Sequence, residues 1–299
     1  MFANEFDYHR AETVEEAIEL LETHPGAEPL AGTHGLLPRM KTGEEAPPTL
    51  VDISHVDGLG AIEVGGADGG DDADGGGGDV LSVGALATHV TIAESETVRR
   101  HAPALAEAAA AVGDLQVRAG GTIGGNLAHG DARVDPAAAA LALDASIVVR
   151  GPDGTRRIAA TELFEGSFET AIGDGEILTR VEVPLAADAV SAYHKRRNPL
   201  SGYATVGVAA RVVVADDHVT NARIGATAVA SAPTRLPAVE EAITGEPVSE
   251  ATIETAAGRA GESIPSDEVR SDPYASASYR RHLLQLDTES LLRELILAE

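Results

Sequence analysis

Cysteine is absent from the 299 residues, which rules out a disulfide, a thiolate nucleophile, a cysteine-ligated zinc site and a cysteine-ligated iron–sulfur cluster within this chain. Tryptophan is absent too, and five tyrosines and four phenylalanines make up the aromatic complement. The core must therefore be built from Ala, Val, Leu and Ile, whose small side chains allow elements to approach closely, and few rings remain to stack on a ligand. Positive charge is scarce, with 22 basic against 48 acidic residues and a net charge of -26. Such a surface disfavours nucleic acid, whose binding depends on releasing counterions with Lys and Arg. Lys41 and Lys195 are the only lysines. An acidic surface with arginine in place of lysine points to a salt-rich, halophilic cytoplasm, although an ordinary host with a GC-rich genome would give a similar composition. Met1–Arg10 has acidic residues and no apolar stretch, and no run of about 18 apolar residues follows, so a cytoplasmic location is expected.

Ten histidines are scattered from His9 to His282 without an H-E-x-x-H or other close ligand pattern, and no G-x-S-x-G elbow occurs. Neither a zinc or iron site nor covalent acyl chemistry is expected. With 43% hydrophobic residues the chain is in the globular range, and its length fits two domains of about 100–200 residues each.

Thr13-Val14-Glu15-Glu16 has the form of a capping box, and Val14, Ala17, Ile18 and Leu21 recur at helical spacing. Glu28–Ala31, Thr49–Ser54, Ala61–Val64 and Val80–Val83 read as strands, and Leu36–Lys41 as a short helix. Gly65–Asp79, almost wholly Gly, Asp and Ala, reads as an enlarged hairpin loop with no chemistry of its own. A helical stretch over Thr91–Val112 is interrupted before Pro103, Pro136–Leu143 is helical, and Ser146–Arg150 turns at Pro152-Asp153-Gly154 into Arg156–Ala160. A boundary near Gly173–Gly175 gives a first domain over 1–175, with subdomains of about 1–58 and 59–175, and a second over 176–299. In the second, Ile177–Val183, Ala189–Lys195, Ala204–Ala215 and Val219–Ala230 read as antiparallel strands, with a turn at Asp216-Asp217-His218. Helices over Leu236–Thr244, Glu250–Glu262 and Ser276–Leu297 follow, which indicates an α+β domain.

Gly120-Gly121-Thr122-Ile123-Gly124-Gly125-Asn126 places four glycines and an Asn in seven residues, after one expected helix and before an Ala-rich one. Glycines let a ligand approach the main chain, whose N–H groups can form a nest for phosphate oxygens, so a diphosphate is the natural candidate. A tight connection between subdomains explains the same spacing equally well. The segment fits neither G-x-x-x-x-G-K-[ST] nor G-x-G-x-x-G, which disfavours P-loop and Rossmann proteins. Ala31-Gly32-Thr33-His34-Gly35, between Leu30 and Leu36, is less specific and by itself reads more readily as a strand-to-helix turn. As a pair the loops suit a long ligand lying between two subdomains.

The two loops resemble the A-G-G-H-S and T-I-G-G-N signatures of the FAD-binding (medium) subunits of the molybdenum hydroxylase family, as in aerobic carbon monoxide dehydrogenase and xanthine dehydrogenase. The resemblance extends over nearly the whole chain and includes Ser231-Ala232-Pro233-Thr234-Arg235, Asp272-Pro273-Tyr274 and Tyr279-Arg280-Arg281. Thr33 stands where Gly is usual and Gly35 where Ser is usual. The resemblance implies an α+β fold: a two-subdomain FAD-binding domain of the p-cresol methylhydroxylase type, then a C-terminal domain with an antiparallel sheet and helices. It implies FAD as the cofactor, held by Leu30, Ala31, Gly32, Thr33, His34, Gly35, Leu36, Thr122, Ile123, Gly124, Gly125 and Asn126. It also implies Asp135, nine positions after Asn126, as a flavin contact that accepts hydrogen bonds from cofactor hydroxyls. An N-cap role before Pro136 is equally compatible with that position. Leu178 matches an apolar residue beside the flavin. Lys195 matches a lysine able to place positive charge near it, or is a solvated strand-end base; Tyr193 flanks the ring or belongs to the core.

Because this chain has no cysteines, the iron–sulfur cluster of such an enzyme would lie in another chain. The resemblance implies a [2Fe–2S] subunit and a large molybdopterin subunit as partners, with this chain passing electrons to an external acceptor. A self-contained flavin oxidoreductase acting on its own organic substrate and a non-catalytic, acidic nucleotide-binding protein are the competing readings.

Overall fold

The computed structural model describes residues 3–32, 34–66 and 79–297. The chain opens with a small three-stranded parallel sheet in which Thr49–Asp52 lies between Asp7–Arg10 and Ala27–Leu30. The helix Val14–Thr23 forms the crossover and buries Ala17, Ile18 and Leu21. Thr13 Oγ1 accepts from Glu16 N at 3.1 Å, while Glu16 Oε2 accepts from Glu12 N at 2.8 Å. The reciprocal arm of the capping box thus lands one residue earlier than the motif predicts.

A five-stranded antiparallel sheet follows in the order Ile62–Gly66, Asp79–Gly84, Ile177–Pro184, Ser146–Gly151, Gly154–Ala159. The first two strands pair as expected; most of the Gly65–Asp79 loop lies outside the described residues. Ile177–Pro184 corrects the expected grouping. Sequence patterning puts it with the C-terminal strands, yet it lies at the centre of this sheet, paired with Asp79–Gly84 and Ser146–Gly151. Its burial on both faces accounts for the change, since only Arg180 and Pro184 of its eight residues are not buried.

The helical stretch expected over Thr91–Val112 is three short helices, His89–Glu94, Glu96–His101 and Pro103–Ala111. Ser95 ends the first and caps the second, accepting from Val98 N through Oγ at 3.3 Å, and Pro103 begins the third as its missing N–H favours. Asp135–Ala142 is a helix with every residue buried. Its alanines allow the main chain of the next domain to come so close that a Cβ on Gly225 would lie 2.3 Å from Ala138 O.

The C-terminal unit is a four-stranded antiparallel sheet, Ala189–Arg197, Ala204–Ala215, His218–Thr227 and Thr234–Arg235. Asp216 and Asp217 both take positive φ, 51° and 58°, as the tight hairpin turn expected there requires. Helices Pro237–Ile243, Glu250–Gly258 and Ala277–Leu297 cover one face. Arg280, 3% exposed, ties the last of these to the sheet: its guanidinium donates to Thr205 O, to Ala228 O at 2.9 Å and to Asp272 at 2.5 Å. The architecture is α+β.

Candidate functional site

The first glycine loop leaves the strand Ala27–Leu30 and enters the helix Leu36–Thr42. The second is only partly a loop. Thr122 caps a helix over Ile123–Ala128, accepting from Gly125 N at 3.2 Å. The two segments meet backbone to backbone: a Cβ on Gly32 would lie 2.2 Å from Gly120 O and 3.0 Å from Thr122 N. Gly124 is pressed onto Ala85 in the same way, with a Cβ 2.6 Å from the alanine methyl.

Most main-chain donors of Gly120–Asn126 are already taken within the fold. Gly121 N donates to Val117 O, Ile123 N to Ala87 O, Gly124 N to Ala85 O and Asn126 N to Thr122 O, at 2.7–3.0 Å. Main-chain donors that sequence reasoning aims at a phosphate are thus used to hold the segment against Ala85–Ala87 and its own first turn. In the other loop, no described backbone carbonyl accepts from the N–H of Gly32, His34 or Gly35. Thr122 N, at the head of the second segment, likewise has no described carbonyl as its acceptor.

Between them lies a cleft of about 930 Å³, at the upper end of the roughly 300–1,000 Å³ of cofactor sites. Of the residues expected in the site, Leu30, Ala31, Gly32, His34, Gly35, Leu36, Thr122, Gly124, Gly125, Asn126, Asp135 and Leu178 line it. Thr33 lies outside the described residues. Ile123 does not reach the cleft; it is fully buried in the first turn of its helix. Tyr193 and Lys195 are also absent from the lining and stand behind Asp135 instead. Tyr193 donates its hydroxyl to Asp135 Oδ1 at 2.5 Å, and Lys195 Nζ donates to Asp135 Oδ2 and to Ala111 O, both at 2.8 Å. Burial pushes the Asp135 carboxyl up, and Lys195 and Tyr193 pull it back; burial and the adjacent carboxylate raise the Tyr193 phenol well above its usual value. Asp135 is the first residue of its helix and not the N-cap, which is Val134.

The rim was not legible in the sequence. Arg133 stacks over the Tyr203 ring at 4.1 Å and Arg39 over Phe168 at 4.1 Å, with His129 edge-on to Phe168 at 5.1 Å. Asp131 holds Arg133 from both oxygens, at 2.9 and 2.6 Å. Burial opposes the Asp131 charge, but these hydrogen bonds prevail and keep its carboxyl below the usual range. Two of the nine rings at one mouth is a concentration that only the fold creates. His89, 1% exposed and lining the cleft wall, was missed too; the one signal for it was its place just after Thr88, a helix cap.

Residues 4–186 match the family described as the FAD binding domain in molybdopterin dehydrogenase, and residues 191–295 the CO dehydrogenase flavoprotein C-terminal domain. The chain belongs to the FAD-binding subunits of the molybdenum hydroxylase family. The carbon monoxide dehydrogenase medium chain of Hydrogenophaga pseudoflava is 31% identical over 91% of this chain and 92% of its own length. The xanthine dehydrogenase FAD-binding subunit of Escherichia coli is 28% identical over 97% and 96%. A solved structure, reconstituted CO dehydrogenase from Oligotropha carboxidovorans, superposes with a TM-score of 0.91 at 29% identity, covering 100% of both chains. These relatives are oxidoreductase subunits, and the cofactor of this family's domain is FAD.

The residues present fit that cofactor. The cleft is long enough to touch both glycine segments and Asp135, its first-loop amides are unclaimed by described carbonyls, and the buried atoms Asn126 Oδ1 and His89 Nδ1 have no hydrogen-bond partner among the described residues. Buried polar atoms without partners are rare in folded proteins, and a ligand in the cleft would supply partners for these two.

Proposed function

We propose that this chain is the electron-transfer subunit of a molybdenum hydroxylase complex, taking electrons from a [2Fe–2S] subunit and delivering them to an external acceptor, with substrate oxidised on a large molybdopterin subunit. The observation that carries the reading is a flavin cleft in a chain without cysteine: the cofactor has a site here, and cysteine-held metal centres do not. FAD exchanges electrons singly or in pairs, which is the chemistry such a junction needs.

The chain's own residues bind and orient. The Gly32, His34 and Gly35 amides would donate to phosphate oxygens, while the missing Cβ of Gly32 serves the contact between the two glycine segments. Asp135 keeps lone pairs beyond those used by Tyr193 and Lys195 and would accept from cofactor hydroxyls. Leu178 supplies an apolar wall, and Tyr203 and Phe168 narrow the mouth against water. Tyr193 and Lys195 act through Asp135. The FAD contacts are therefore assigned to the cleft-lining residues named above. The acidic surface and the near-absence of lysine support a salt-rich cytoplasm as the setting; among the described residues no helix is long and apolar enough to cross a membrane.

Purification from the native source at high salt, with flavin extraction and identification of co-purifying chains, tests this. FAD together with an iron–sulfur and a molybdopterin chain is the expected outcome. A native complex without FAD would sink the reading, and turnover of an organic substrate by the isolated chain would favour a self-contained oxidoreductase.

A further inference from the structure

His89 begins the helix His89–Glu94 and packs its ring against Gly121, where a Cβ would lie 3.0 Å from His89 Cδ2. From the opposite loop, His34 Nε2 would lie 2.6 Å from a Cβ on Gly120. Two imidazoles thus flank two consecutive glycines at the point where the loops touch. His89 is 1% exposed, lines the cleft and has a buried Nδ1 with no partner among the described residues. An imidazole has two ring nitrogens that seek hydrogen bonds, and leaving one buried and unmatched is costly.

We propose that His89 is a cofactor-binding residue whose imidazole hydrogen-bonds the diphosphate of bound FAD. The inference rests on the FAD site proposed above. Electrostatics select the diphosphate over the other parts of the nucleotide. The charged and titratable groups acting on His89 are His34 of the first loop and Arg118 of the helix Leu115–Gly120, and the Arg118 guanidinium favours an anion. The Asp135 carboxylate, also in the cleft lining, suits hydroxyl donors instead. The unclaimed amides of the first loop also belong to the His89 end, because Gly32 is the residue stacked on Gly120 and Thr122.

Burial, then the charges of His34 and Arg118, push the His89 pKa down to about 4, so the ring is neutral in the empty cleft near neutral pH. An anion placed beside it raises its proton affinity. Binding is then accompanied by proton uptake and tightens as pH falls towards the His89 value of about 4.

The full chain, stripped of flavin, is titrated with FAD, with ADP and with adenosine as wild type, His89→Ala and His89→Gln, with circular dichroism as a folding control and His34→Gln to separate the second imidazole. His89→Ala is expected to weaken FAD and ADP at least tenfold and to leave adenosine unchanged. His89→Gln, which can hydrogen-bond but not titrate, is expected to retain most of the affinity and lose the pH dependence. Unchanged FAD and ADP binding in a folded His89→Ala chain overturns the proposal, as does a loss shared equally by adenosine or a pH dependence that persists in His89→Gln. Wild-type chain that binds no FAD overturns the underlying site assignment instead.

Discussion

Lys195 Nζ lies 2.8 Å from Asp135 Oδ2, joining a C-terminal strand to the first residue of a buried helix of the FAD-binding domain, with side chains 7% and 5% exposed. Removing one partner of such a pair leaves an uncompensated charge in the interior. Lys195→Ala is expected to cost about 3–5 kcal/mol of stability and to weaken flavin retention, because Asp135 loses one of its two anchors. Denaturant unfolding and the flavin spectrum of the purified chain read both effects; a change under about 1 kcal/mol would contradict the assignment. The double variant Lys195→Met, Asp135→Asn is expected to recover part of the loss.

Gly32→Ala places a methyl group into two backbone groups that have no side-chain freedom with which to yield. Overpacking of this kind costs about 1–3 kcal/mol, and here it also parts the two glycine segments. The expected result is a chain that folds with a lowered melting temperature and loses FAD on gel filtration. Normal flavin content would show that the segments need not touch.

His89 makes the flavin-free chain acid-sensitive. Its folded pKa of about 4 lies below the ordinary 6.5, so the unfolded chain holds the extra proton between those values, and stability falls as pH drops from 6.5 to 4. The full effect is about 3 kcal/mol. His89→Gln should flatten the stability profile in that window, as measured by urea midpoints at pH 7, 5.5 and 4.5. Excess FAD should restore stability to the wild type near pH 5.5.

The net charge of -26 predicts a salt response. Raising KCl from 0.1 to 1 M shortens the screening length from about 10 Å to about 3 Å, relieving repulsion among surface carboxylates. The melting temperature should rise across that range. A flat or falling curve would remove the argument for a salt-rich setting.

Local signals were readable in the sequence where the physics is local. Thr13 and Glu16 announce a helix start, Asp216-Asp217 a tight turn, and Tyr193 with Lys195, two apart on a strand, share a face. What that face meets depends on a residue some sixty positions away, and no pattern near Tyr193 announces Asp135. Ile177–Pro184 was misgrouped for the same reason, since a strand buried on both faces carries no mark of which sheet it completes. Glycine density in Gly120–Asn126 signalled close approach correctly but not its partner. Gly124 is required by the main chain and methyl of Ala85, while most of the amides without a described backbone acceptor are in the less conspicuous loop.

The helix Asp135–Ala142 has no solvent face, and its alanines rest directly on the main chain at Gly225. Thr227 Oγ1 and Ala228 N both donate to Ala132 O just before it, at 2.8 and 2.7 Å. Cutting the chain between its two family-matched segments would therefore not release two self-standing pieces. The first would present a bare alanine ridge to water and the second an uncovered sheet, so each half should be recovered insoluble alone and soluble when the two are expressed together. The intact chain should melt in one step, with the cofactor leaving at the same temperature at which the halves part.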